Sequence, residues 1–139
     1  MHELNFETGL VTYTLNGVCE VKFNPTDNDF SERLFNAFDD LEKKHEGWKK
    51  QVEKVADKRE IFAFMRERDA EMRAIIDDLF GAPVCDACFG NMSVYALADG
   101  LPVWVNLMLA VMEEIDTSFA REQRRTNPRV AKYTAKYHA

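Results

Sequence analysis

Residues 10–23 read Leu10-Val-Thr-Tyr-Thr-Leu, Asn16-Gly17, Val18-Cys-Glu-Val-Lys-Phe23. Two β-branched and aromatic runs flank an Asn-Gly pair. Asn-Gly accepts positive φ at both positions, so it closes a tight hairpin whose twist matches that of its strands. A lone hairpin is marginal in water and needs other elements against one face. Those elements follow directly. Asn24-Pro25-Thr26-Asp27 ends the second strand, because Pro25 lacks the donor a strand requires. Helical periodicity starts beyond it. The sequence therefore predicts an α+β fold: an N-terminal hairpin or small antiparallel sheet, then a bundle of four to five helices.

The first helical stripe is Leu34, Phe38, Leu41, His45, Trp48, Val52 and Val55, spaced alternately four and three. Gly47 lies inside it, costs about 1 kcal/mol relative to Ala and favours a bend there. A second stripe runs Phe62, Met65, Asp69, Met72, Ile76, Leu79. The step from Val55 to Phe62 breaks the alternation, and Asp57 with Glu60 fits a capping box. The reading is two helices, 29–55 and 58–80, the second stopped by Gly81 and Pro83. Pro83 to Phe89 and Ser93 to Asp99 read as short helices closed by Gly90 and Gly100. Pro102 opens a long helix to about Arg125, ended by Asn127-Pro128. Residues 101–112 are apolar nearly all round, as expected of a helix covered on several sides.

Composition narrows the class. A chain of 139 residues suggests one domain, assigned to 1–126 with a basic tail at 127–139. Apolar residues make up 46%, with ten Phe, which excludes a disordered linker. The first seven residues carry Glu3 and Glu7 and no apolar run, unlike a signal peptide. The most apolar stretch, Leu101 to Met112, is shorter than the ~20 residues needed to span a bilayer. Three cysteines without a secretion signal suggest the reducing cytoplasm. The net charge of −6 disfavours nucleic-acid binding by the whole surface. Charge is uneven, however: residues 121–139 carry +5, leaving −11 for residues 1–120.

Several features carry potential chemistry. Cys85 and Cys88 form a C-x-x-C that suits a redox pair or half of a zinc site. No βαβ pattern precedes it, and the other candidate ligands (Cys19, His2, His45, His138) have no paired spacing. Core packing accounts for it more simply. His45 in the first stripe reads as a pH switch or as a partly buried, hydrogen-bonded histidine. Asp69 in the second reads as a buried acid or as the partner of Arg66, Arg73 or a neighbouring helix. Asp39-Asp40, Asp77-Asp78 and Glu113-Glu114 point about 100° apart on a helix and do not converge on one ion. The paired Glu-x-x-His motifs of di-metal bundles (Glu42-Lys-Lys-His45 is a single occurrence), the nucleophile elbow and the phosphate loops are absent. No catalytic residue, cofactor or metal is assigned. Arg129, Lys132, Tyr133, Lys136 and Tyr137 interleave charge and rings, a pattern for holding single-stranded nucleic acid or docking on an acidic protein surface. The protein surface, its own body included, is the reading taken.

Several stretches together carry a resemblance. They are Glu7-Thr-Gly-Leu-Val-Thr-Tyr-Thr-Leu-Asn-Gly, Phe23-Asn-Pro-Thr-Asp, Gly81-Ala-Pro-Val-Cys, Ala98-Asp-Gly-Leu-Pro-Val-Trp and Asn127-Pro-Arg-Val-Ala-Lys-Tyr. The chain resembles the small tail assembly chaperones of long-tailed bacteriophages and prophages. That resemblance implies a small sheet followed by a helical bundle, and a non-enzymatic role without cofactor. Such chaperones cover the long helical tape-measure protein in the host cytoplasm, keep it soluble while tube subunits assemble, and leave the finished particle. The implied partner is the tape-measure protein, with the tail tube protein and a second copy of the chain as further candidates. Met65, Met72, Met92, Met108 and Met112 suit an adaptable binding surface, though Met108 and Met112 read better as core. The competing readings are another phage morphogenesis part, a small metal or redox protein using Cys85 and Cys88, and a nucleic-acid-binding accessory protein using its tail.

Overall fold

The Asn-Gly turn forms as its chemistry requires. In the computed structural model, which describes residues 1–137, Asn16 (φ 50°) and Gly17 (φ 71°) both take positive φ. The Val18 N–H closes the turn on the Leu15 carbonyl at 3.0 Å. The turn joins β1 (Val11–Leu15) to β2 (Cys19–Phe23). Val18 is an extra residue, so Leu15 pairs with Cys19, Tyr13 with Val21 and Val11 with Phe23. That one-residue offset decides which face is apolar. Pairing Leu15 with Val18 would have set Glu20 and Lys22 beside Tyr13 and Val11. Instead Val21 and Phe23 are buried, and Phe23 stacks on Tyr13 at 4.7 Å and on Phe30 at 4.3 Å.

Phe30 belongs to α1 (Asn28–Val52), whose N-cap Asp27 accepts the Asp29 N–H at 3.0 Å. The helix runs through Gly47 but stops at Val52, three residues before the expected end. The cause is the next cap. Asp57 is extended (φ −97°, ψ 125°) and takes the Arg59 N–H at 2.9 Å, opening α2 (Lys58–Phe80). Val55 therefore falls in the connection between the two helices. The helix α2 keeps its expected bounds and ends on Gly81 at φ 63°. It is followed by α3 (Val84–Phe89). The core gathers the stripes: Leu41 of α1, Met72 and Ile76 of α2, Val84 and Cys85 of α3, Val94 and Met108 are wholly buried.

Residues 93–99 correct the sequence reading. They form no helix. Leu97–Ala98 (β3) pairs antiparallel with Leu101–Pro102 (β4). Asp99 (φ 55°) and Gly100 (φ 79°) repeat the backbone of Asn16-Gly17. Gly100 is a hairpin turn residue, not a helix stop. Pro102 is the N-cap of α4 (Val103–Arg124) rather than its first helical residue. Trp104, Met108 and Val111 are buried, and most of the stretch between them is partly covered, as its all-round apolarity requires. A fifth helix, α5 (Arg129–Tyr137), stands where the sequence suggested only a basic tail. Asn127 both helps end α4 and opens α5, its side chain accepting the Arg129 N–H at 3.1 Å. The result is an α+β fold with an N-terminal hairpin and five helices among the described residues. None of those helices is long and apolar enough to cross a membrane.

Candidate functional site

Two regions meet at Asp69. On one side is an ionic node. Arg73 sits one turn on along α2, and its Nε donates to Asp69 Oδ2 at 2.9 Å. Its Nη1 donates to Asp86 Oδ1 of α3 at 3.0 Å. Its Nη2 donates to the carbonyls of Gly90 at 2.7 Å and Met92 at 2.6 Å. Asp69 Oδ1 in turn accepts the Val94 N–H at 2.7 Å. One guanidinium and one carboxylate thus tie α2 to α3 and to the segment leading to the second hairpin. Both side chains are under one-fifth exposed. The expected ion pair of Asp69 is present, and its partner is Arg73.

On the other side is an aromatic corner. His45 and Trp48 of α1 meet Tyr95 and Trp104. Trp48 and Tyr95 stack at 4.7 Å with 10° between planes, and His45 lies 5.1 Å from Tyr95 and 6.0 Å from Trp104. Trp104 Nε1 donates to His45 Nδ1 at 3.3 Å. His45 is the partly buried, hydrogen-bonded histidine of the simpler reading. Burial lowers its pKa from the ordinary 6.5, and Lys49 lowers it further against the opposing pull of Glu46. Burial, with Asp69 close by, pushes the Tyr95 hydroxyl up to about 12. Among the described residues, Trp48 Nε1 and Tyr95 Oη are buried without a hydrogen-bond partner.

Beside this corner opens a groove of about 460 Å³. Trp48, Phe62, Met65, Tyr95 and Ala96 give it apolar walls. Arg66, Asp69, Asn91 and Ser93 supply polar groups. The groove arises from a mismatch along α2. Met72, Ile76 and Leu79, the later part of the stripe, are buried, whereas Met65 is half-buried and Phe62 is 58% exposed. The same apolar face continues past the point where its neighbours cover it. Sequence spacing identifies that face but not how far the covering elements extend, so Phe62 reads as core until the fold is seen. Reading 93–99 as a helix conceals Tyr95, which the second hairpin places against Trp48. The Asp-Gly pair at 99–100 was the available signal.

The other candidates are scattered. Cys85 is wholly buried and Cys88 partly so, and both are free thiols. Burial pushes both thiols up, with Asp77 adding to the effect, which opposes the thiolate that redox and zinc chemistry need. Among the described residues no group of three or more His, Cys, Asp or Glu is placed to hold a metal ion. The adjacent carboxylates diverge. Asp39 pairs with Lys43 at 2.9 Å, Asp77 accepts the Cys85 N–H at 3.0 Å, and Glu114 accepts from Tyr13 Oη at 3.0 Å and Ser118 Oγ at 2.9 Å. Met108 is core and Met112 borders it, as read, but Met72 is core as well. Met65 lines the groove, and Met92 is exposed elsewhere. In α5, Arg129, Val130, Lys132, Tyr133 and Lys136 are exposed rather than covered by the acidic body. The side chain of Tyr137 and all of His138 lie outside the described residues.

Compared with protein-family models, with curated proteins and with solved structures, the chain matches none of them.

Proposed function

We propose that the protein is a non-enzymatic, cytoplasmic tail assembly chaperone whose groove holds an amphipathic helix of the tape-measure protein. The observation that carries this reading is the open apolar groove between α1, α2 and the Ser93–Ala96 segment. Its most exposed wall is Phe62. An apolar stripe left uncovered on a rigid scaffold marks a recognition surface. The fitting occupant is a helix with apolar residues at i, i+3 or i+4 and a carboxylate on its flank. The carboxylate meets Arg66, an exposed cation at the rim. A long helical protein repeats such a face many times and needs it covered until tube subunits displace the cover. Met65, flexible and polarisable, adapts the groove to non-identical repeats. A groove this small gives modest affinity per copy, which suits a chaperone that must leave.

The test is co-expression with the tape-measure protein encoded in the same genome. The expected result is a clear rise in its soluble fraction, lost with Phe62→Asp. No rise with the unaltered chain would overturn the reading.

A further inference from the structure

We infer that α5 of one copy docks along the outer face of α1 in a second copy. In the single chain α5 has no cover. Every side chain of α5 among the described residues is exposed, Val130 at 70% and Tyr133 at 51% included. A nine-residue helix is marginal in water by itself, because most helical stability comes from packing one face. A face for packing is present. Arg129, Lys132 and Lys136 recur at spacings of three and four along one side, and Val130 and Tyr133 lie along the side next to it. The Arg129 guanidinium forms no ion pair among the described residues, and the Lys132 ammonium lies over the Tyr133 ring at 5.5 Å without an acidic partner there.

The chain itself supplies the complementary feature. Glu32, Phe35, Asp39, Glu42 and Glu46 recur at spacings of three and four along α1, on the side turned away from the buried Leu34 and Leu41. All five are exposed. Phe35, at 70%, is the most exposed aromatic side chain in any helix among the described residues. Glu32, Glu42 and Glu46 form no ion pair among the described residues. The basic neighbours that could have neutralised them are spent elsewhere: Arg33 on Asp29 at 3.1 Å and Lys43 on Asp39 at 2.9 Å. An acidic stripe with one uncovered ring thus runs along the outside of the molecule.

Charge and shape together select a second copy as the occupant. Both stripes are helical, share the same spacing and are opposite in sign. Each also carries exposed apolar groups: Phe35 within the acidic stripe, Val130 and Tyr133 beside the basic one. A single chain does not pair them, since α5 stays exposed with its own α1 in place. Two copies pair them reciprocally, which closes the assembly as a dimer. The contact area is small, so association is weak and falls with added salt. Trp48 lies on the opposite side of α1 from this stripe, so the groove stays open in the dimer.

The test is sedimentation equilibrium of the full chain over a wide concentration range, alongside three charge-reversed variants. They are Glu32→Lys/Glu42→Lys, Arg129→Glu/Lys132→Glu, and a chain carrying all four changes. The four positions are exposed, so the fold should survive; circular dichroism checks this. Self-association of the unaltered chain is expected, weakened about tenfold in either double variant and restored to within about threefold in the fourfold one. Restoration requires that these two stripes meet each other, because general surface damage would only accumulate. A chain monomeric throughout would overturn the inference, even if α5 captured a nucleic acid or some other acidic protein. So would association that ignores the reversals, or a fourfold variant as weak as the doubles. Phe62→Asp should leave self-association intact, so failure of the groove and failure of this contact are separable.

Discussion

The two sides of Asp69 are a few ångströms apart and are built on opposite terms. The Arg73 side is saturated: two carboxylates and two carbonyls accept its N–H groups, and Asp69 is further engaged by the Val94 N–H. The Trp48 side is incomplete: Phe62 is exposed, and Trp48 Nε1 and Tyr95 Oη have no partner among the described residues. Such a difference separates what holds the fold from what is left available. A fully satisfied buried network fixes one arrangement of the elements around it. A stripe whose cover ends early presents a rigid apolar surface without a loop having to open.

This contrast can be broken first at its strong side. Arg73→Ala leaves the mostly covered Asp69 carboxylate with the Val94 N–H alone, unties α3 from α2 and should cost about 2–3 kcal/mol, read from the urea midpoint. A loss below that of an ordinary surface substitution would mean the node is not structural. Next is Trp104→Phe, which removes the indole N–H from His45 and leaves a smaller ring in the core. The expected loss is about 1–2 kcal/mol.

A smaller, pH-dependent effect follows from His45. Its folded-state pKa lies below the ordinary 6.5, so the unfolded chain binds the proton more readily. The neutral ring's contribution is complete above pH 6.5 and is lost as pH falls from there through the lowered folded value. A protonated ring has no free Nδ1 lone pair for Trp104. Urea midpoints at about pH 7.5 and about pH 5.5 should differ, and His45→Gln should flatten the difference. An unchanged slope would detach His45 from the corner's stability. Smallest is Phe62→Ser. With its ring largely in solvent, stability should shift within ~0.5 kcal/mol while helix binding is lost. A large stability loss would make Phe62 part of the core after all.

Local chemistry made much of the fold legible. Asn16-Gly17 announced the hairpin, Asp57 the break between α1 and α2, and the two stripes the core face of each helix. What escaped was non-local. Nothing in the sequence of β1 or β2 alone says that Val18 is an extra residue; the need to keep Glu20 and Lys22 off the inner face decides it. The second hairpin is harder to read because Gly100 alone serves a helix stop and a turn equally well; Asp99 before it is the local hint of a turn, and the positive φ of both residues shows that the turn forms. The groove was the least legible feature. Phe62 and Met65 are in phase with Met72 and Ile76, and only the reach of α1 and of the Ser93–Ala96 segment decides which of them stay uncovered.

The most direct measurement uses the chain's two tryptophans, one in the groove wall and one in the core. Fluorine NMR of protein carrying fluorinated tryptophan follows both while an amphipathic helical peptide from the tape-measure protein is added. The Trp48 resonance should move in a saturable way and Trp104 much less, with Phe62→Asp abolishing the response. A Trp48 resonance that stays still, or that moves as far in the Phe62→Asp protein, would contradict the claim that this groove is the docking surface.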